Sequence, residues 1–128
     1  MINKTIKKDS FEYLLNELLN WYEEVASQKS IASFTRVKTL KLLFFVSAIK
    51  DDSGMDLLDI FDNFYAMPHG PVESDIYNFM SGDSLEYFSF ADIYMSKKKD
   101  YKIPSGLDRD IITRIDNAVS CIRIVNPR

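Results

Sequence analysis

The chain has 128 residues, 46% of them hydrophobic and 27% charged, which suits one globular domain and leaves little room for a second. A net charge of −3 argues against nonspecific nucleic-acid binding, which needs clustered cations to displace phosphate counterions. One cysteine, Cys121, excludes an intramolecular disulfide and a cysteine metal cluster.

The opening MINKTIKKDS has no apolar stretch after its lysines, so no secretion signal is expected, and Lys7-Lys8 reads as part of a solvated tail. Asp9 stands three residues before Glu12, a capping-box spacing. Phe11, Leu14, Leu15, Leu18, Leu19, Tyr22 and Val25 then recur at helical intervals, predicting a helix over 10–27. Glu12, Asn16, Glu17, Asn20, Glu23 and Glu24 supply most of its wet face. A polar connector over 27–34 carries Ile31 and Phe34. Thr35 is the expected N-cap of a helix over 36–50. Apolar residues fall on nearly every face of that helix from Leu40 onward, the mark of a central, enclosed element.

Gly54 is placed to end it in a left-handed conformation, and 55–61 reads as a short helical piece. Pro68 favours an extended Met67. Pro71 looks like the first residue of a helix over 71–80, entered through a Gly-Pro corner, with Glu73 and Asp75 complementing its dipole. SGDS breaks it. Phe88, Phe90 and the group around Tyr94 suggest β character, and SKKKD reads as a turn to a second strand at Tyr101–Ile103, a small hairpin. Leu107, Ile111, Ile112, Ile115, Val119, Ile122 and Val125 form one stripe of a final amphipathic helix, with Asp108 and Asp110 at its start and Arg123 near its end. The expected fold is therefore mainly α, a compact helical domain around a central buried helix with a small β-hairpin.

Chemistry is harder to place. A catalytic triad needs a nucleophile, a base and an orienting acid. The one imidazole, His69, has no Gly-x-Ser-x-Gly partner, and Cys121 falls on or beside an apolar helix face. A His69–Cys121 dyad is not demanded by anything in the chain. Asp59/Asp62 and Asp108/Asp110 read as caps and solvated faces, which makes a carboxylate-only Mg²⁺ site the weaker reading. No glycine-rich phosphate cradle occurs, and no cofactor is expected. Phe44, Phe45, Phe64 and Tyr65 sit among acids rather than bases, which disfavours single-strand stacking. These rings fit a core around the central helix, with some left exposed as anchors of a protein interface.

Two segments carry a resemblance. RVKTLKLLFFVSAI, with Lys41, Leu42, Phe44 and Phe45, resembles the central helix of the Panacea (SocA-like) domain family. Phe64, Ala66, Gly70, Pro71, Val72, Ile76 and Tyr77 are similar to that family's second signature, in the same order and at a similar separation. The likeness covers roughly residues 9–126. It implies a mainly helical antitoxin that binds and neutralises a cognate toxin protein, not an enzyme; the alternative is an adaptor that hands a client to a protease, or a phage or mobile-element regulator of a host protein. The chain departs from the family at Met67, Pro68 and His69, where members carry Trp, Lys and Tyr, and it stops at IVNPR, where members continue. The partner-binding residues implied by the resemblance and the aromatic surplus are Lys41, Phe44, Phe45, Phe64, Tyr65, Met67, His69, Gly70, Pro71 and Tyr77. A cytoplasmic location, no membrane partner, and no catalytic or metal residues complete the expectation; no apolar run nears the about 18 residues of a membrane span.

Overall fold

Residues 3–26 and 34–125 are described by a computed structural model, the side chains at 24–26 and 123–125 excepted. Of the connector expected over 27–34, residues 27–33, with Ile31, lie outside the described residues, as do the side chains of Glu24, Val25, Arg123 and Val125.

Helix α1 runs Lys4–Ala26 and begins a turn and a half earlier than its hydrophobic stripe suggests. The cap is Asn3, whose Oδ1 accepts the Ile6 N–H at 2.8 Å, and not Asp9. Phe11, Leu14, Leu15, Leu18 and Leu19 form its buried stripe. Helix α2, Arg36–Ala48, starts as expected, with Thr35 Oγ1 accepting the Lys38 N–H at 3.1 Å. It buries Thr39, Leu40, Leu43, Val46 and Ser47 but exposes Val37, Lys41, Phe45 and Ala48, so it is covered on one side rather than enclosed. The loop that follows turns at Gly54, whose φ is +83°. Residues 55–61 close only as turns, Phe61 N–H reaching Leu57 C=O at 2.9 Å, short of the helical piece expected there.

The predicted helix over 71–80 is displaced. Strands β1, Phe64–Met67, and β2, Gly70–Glu73, form an antiparallel hairpin, and helix α3 spans only Ser74–Ser81. Pro71 therefore lies in a strand, not at the first turn of a helix. Both places tolerate a missing N–H, and the sequence signal does not separate them. Glu73 is the N-cap of α3, its Oε1 accepting the N–H groups of Asp75 and Ile76 at 2.9 and 3.1 Å. A second hairpin joins β3, Phe88–Ser89, to β4, Ser96–Lys97. Its second strand thus begins inside the segment expected to be the turn, and Tyr101–Ile103 forms no strand. The Tyr101 ring instead packs edge-on against Tyr87, 4.9 Å between centroids. Helix α4, Arg109–Val125, buries Ile111, Ile115, Ala118, Val119 and Ile122 and packs against α1, where Tyr13 Oη donates to Asp116 Oδ1 at 2.6 Å. The result is mainly α with two small hairpins. Among the described residues no helix is long and apolar enough to cross a membrane.

Three polar residues read as solvent-facing hold this arrangement together. Lys7 is 2% exposed. Its Nζ donates to Asp62 Oδ1 at 2.7 Å, Glu73 Oε2 at 2.7 Å and Asp75 Oδ2 at 2.6 Å, joining α1 to the base of the first hairpin and to α3. Glu12 is buried rather than wet, and its two oxygens accept the N–H groups of Glu86 and Tyr87 at 2.9 and 2.7 Å. Asp59 is not a free surface acid, because Arg114 on α4 donates to it at 3.1 Å through Nη1. Burial alone would lower the Lys7 pKa; the three carboxylates outweigh it and hold the ammonium above its ordinary 10.5. The Lys7 hydrogen bond in turn holds the Asp75 carboxyl below its ordinary 3.8, against an opposing effect of burial.

Lys7→Ala leaves these carboxylates facing one another without their cation, and urea denaturation will register a loss of about 3–5 kcal/mol; a loss under about 1 kcal/mol refutes the anchoring role. A depressed carboxylate contributes stability that is complete above its unfolded pKa and disappears as pH falls through the folded one. The stability advantage of wild type over Asp75→Asn is therefore constant well above 3.8 and shrinks below it. Urea midpoints at pH 7, 5, 4 and 3 check this, with the decline setting in only as pH falls below about 4. A difference that grows on acidification contradicts it.

Candidate functional site

An apolar groove of about 280 Å³ lies between α2 and the first hairpin. Val37, Leu40 and Lys41 line it from α2, Met67, Pro68, His69, Pro71 and Val72 from the hairpin, and Tyr77 from α3. Val37 and Met67 are each 54% exposed at its rim. Isolated exposed apolar residues are ordinary, but a lined concavity rimmed by them is the form a docking surface takes.

Local chemistry explains the shape. Pro68 fixes φ at the first position of the hairpin turn. Gly70 then adopts φ +114°, a region that side-chain-bearing residues avoid, and this returns the chain into β2. Phe44 of α2 meets Phe64 of β1 edge-to-face, centroids 5.3 Å apart at 79°, and pins the hairpin against the helix. Lys7 holds the same open end of the hairpin, opposite the turn, through Glu73, the cross-strand partner of Phe64.

Half of the expected partner-binding residues gather here. Lys41, Met67, His69, Pro71 and Tyr77 line the groove. Phe44 and Phe64 support it as a packed pair, and Gly70 shapes its turn. Phe45 and Tyr65 are exposed but do not line it. Val37, Leu40, Pro68 and Val72 line it without having been expected as contact residues. Val37, Leu40, Lys41 and Phe44 recur at i, i+3, i+4 and i+7, a stripe visible in the sequence but hidden by reading α2 as enclosed.

Among the lining residues the titratable groups are Lys41, His69 and Tyr77, and none is acidic. His69 is exposed at the hairpin tip and shares the lining with no nucleophile–acid pair. Cys121, half-buried on α4, lines a separate polar depression with Asp51, Asp52, Ser53, Asn117 and Ser120, so the dyad of His69 and Cys121 is not assembled. Asp62, Glu73 and Asp75 converge closely enough to hold a cation, and the Lys7 ammonium takes that place. Asp62 is thus part of a tertiary ion cluster rather than a cap. Compared with family models, curated proteins and solved structures, the chain matches none.

Gly70→Ala strains the turn without a steric clash, since nothing lies within 4 Å of an added Cβ. It will destabilise the chain by about 1–3 kcal/mol, whereas Gly106→Ala, equally open but without a positive φ, will stay within about 0.5 kcal/mol. Equal melting temperatures for the two variants refute the conformational argument.

Proposed function

We propose that the chain is a protein-binding module acting as the antitoxin of a toxin–antitoxin pair, neutralising its toxin by direct contact at the groove between α2 and the first hairpin. One observation carries the binding reading: an apolar groove without acidic groups, built in a chain of net charge −3. Acid-free apolar concavities with an aromatic and a thioether at the rim suit the anchor residues of a protein partner. The toxin as partner rests on the resemblance to the Panacea family, whose two signature segments fall on the groove's two walls, Lys41 on one and Pro71, Val72 and Tyr77 on the other.

The test is co-expression with each neighbouring gene product that arrests growth. Restored growth and a stable complex are expected with one of them. Tyr77→Asp and Met67→Asp place a charge on exposed rim positions, so the fold survives. Each should weaken the complex by about tenfold or more, equivalent to at least about 1.4 kcal/mol by calorimetry. Full rescue and unchanged affinity in both variants would remove the groove from the contact.

A further inference from the structure

We infer that the outer edge of β1 is a strand-addition site, which takes an extended segment of the partner protein as a third strand of the first hairpin. The inference rests on the reading of the chain as a protein-binding module and names the form its partner presents.

Hydrogen-bond alternation identifies the free groups. Ser74 N–H donates to Asn63 C=O at 2.8 Å, so these two residues form a bonded pair. Bonded and non-bonded pairs alternate along an antiparallel ladder. Tyr65↔Val72 and Met67↔Gly70 are then bonded, while Phe64↔Glu73 and Ala66↔Pro71 are not. Pro71, which has no N–H to donate, occupies a non-bonded position, as this phase requires. At such positions main-chain groups point away from the neighbouring strand. The N–H and C=O of Phe64 and Ala66 therefore face outward from β1, and among the described residues no hydrogen bond reaches them.

Exposed strand edges are ordinarily blunted by charge, proline or a bulge. The β2 edge carries Pro71, and β4 runs into Lys97, Lys98 and Lys99. Phe64-Tyr65-Ala66-Met67 has no such guard, and Tyr65, at 58% exposure, Ala66 and Met67 stand open to solvent. The packing of the hairpin on α2 runs mainly through β2, which leaves the β1 side uncovered by that helix.

Two outward N–H and C=O pairs two residues apart select another extended chain, because only a strand presents donors and acceptors at that spacing. Tyr65 and Met67 share one face of β1 and favour apolar side chains at alternate positions of the incoming strand. A second copy of this chain would offer only the same four-residue edge, far short of the about 1,000 Å² that a stable interface buries. A partner strand can run on past Met67 to the groove. There Lys41 forms no ion pair among the described residues, so an acidic side chain beyond the apolar stretch complements it.

A random-peptide library displayed on phage, panned against the whole chain, supplies the probe. Enriched peptides should alternate apolar residues, carry a flanking acid, and slow amide exchange at Phe64 and Ala66 by about tenfold or more. Ala66→Pro removes one outward N–H without touching the ladder to β2, and should weaken those peptides by about tenfold or more at unchanged melting temperature. Ala66→Lys keeps the main chain and guards the edge, and should do the same should the proline variant prove unstable. Equal binding to wild type and both variants, protection confined to the groove, or no enrichment overturns the inference. So does a solution dimer that Ala66→Pro splits, which would give the edge to a second copy. Growth rescue that survives Ala66→Pro sinks strand addition and leaves the antitoxin reading standing. Edge-bound peptides with no neighbouring toxin neutralised do the reverse.

Discussion

Lys7 Nζ lies where three parts of the chain meet: the second turn of α1, the residues leading into β1, and the junction of β2 with α3. Its partners are 55, 66 and 68 residues away in sequence. Removing an ammonium from water is costly, and only close, multiple hydrogen bonds offset it. All three of its donor positions are filled at 2.7 Å or less. Lys4 adds a weaker second cation, 3.9 Å from Asp75, so that two ammoniums face three carboxylates. Such a cluster does less for net stability than for uniqueness: an apolar replacement can be as stable, but it would not fix which carboxylate meets which turn.

Glu73 transmits that constraint. One of its oxygens caps α3, while the other accepts both Lys7 Nζ and the Asn63 N–H, the latter at 3.0 Å. A single side chain thus sets the register at the base of the first hairpin, the start of α3 and the distance of both from α1. The far end of the hairpin is set independently, by the Pro68 turn and the positive φ of Gly70, while the Phe44–Phe64 contact adds a second hold at the base. The groove lies between these two fixed ends. Most of what fixes its walls lies outside its lining, Pro68 and the buried Leu40 excepted, which leaves Val37, Met67 and Tyr77 free to be apolar and exposed.

The helices were legible in the sequence because each repeats its apolar residues over several turns: α1 and α4 through their stripes, α2 through Thr35 and its length. What escaped was tertiary. Lys7 beside Lys8 looks like any basic tail until Asp62, Glu73 and Asp75 surround it. Glu12 looks like a wet-face acid until two loop N–H groups need acceptors. Four-residue strands are too short for a period of two to show, and Pro71 satisfies the start of a helix as well as it satisfies a non-bonded strand position. The candidate site was half visible for the same reason. Residues around the Gly-Pro pair announce a special backbone, whereas Val37 and Leu40 belong to the groove only because α2 turns that stripe toward the hairpin.

Acid placement joins these threads. The chain has 19 Asp and Glu residues against 16 Lys and Arg, yet no acid lines the groove. Asp62, Glu73 and Asp75 are committed to Lys7, Asp59 to Arg114, Glu12 to main-chain donors and Asp51 to its own turn, where its carboxylate accepts from Ser53 and Met55. Carboxylates that carry tertiary contacts cannot also repel a partner or hydrate a docking face. The same economy separates the strand edges: proline and lysine guard the ones that stay solvated, and β1, beside the acid-free groove, is left plain. An unguarded edge is a hazard in a chain that works alone. Its persistence next to an apolar groove is physically coherent when both are covered together by one partner.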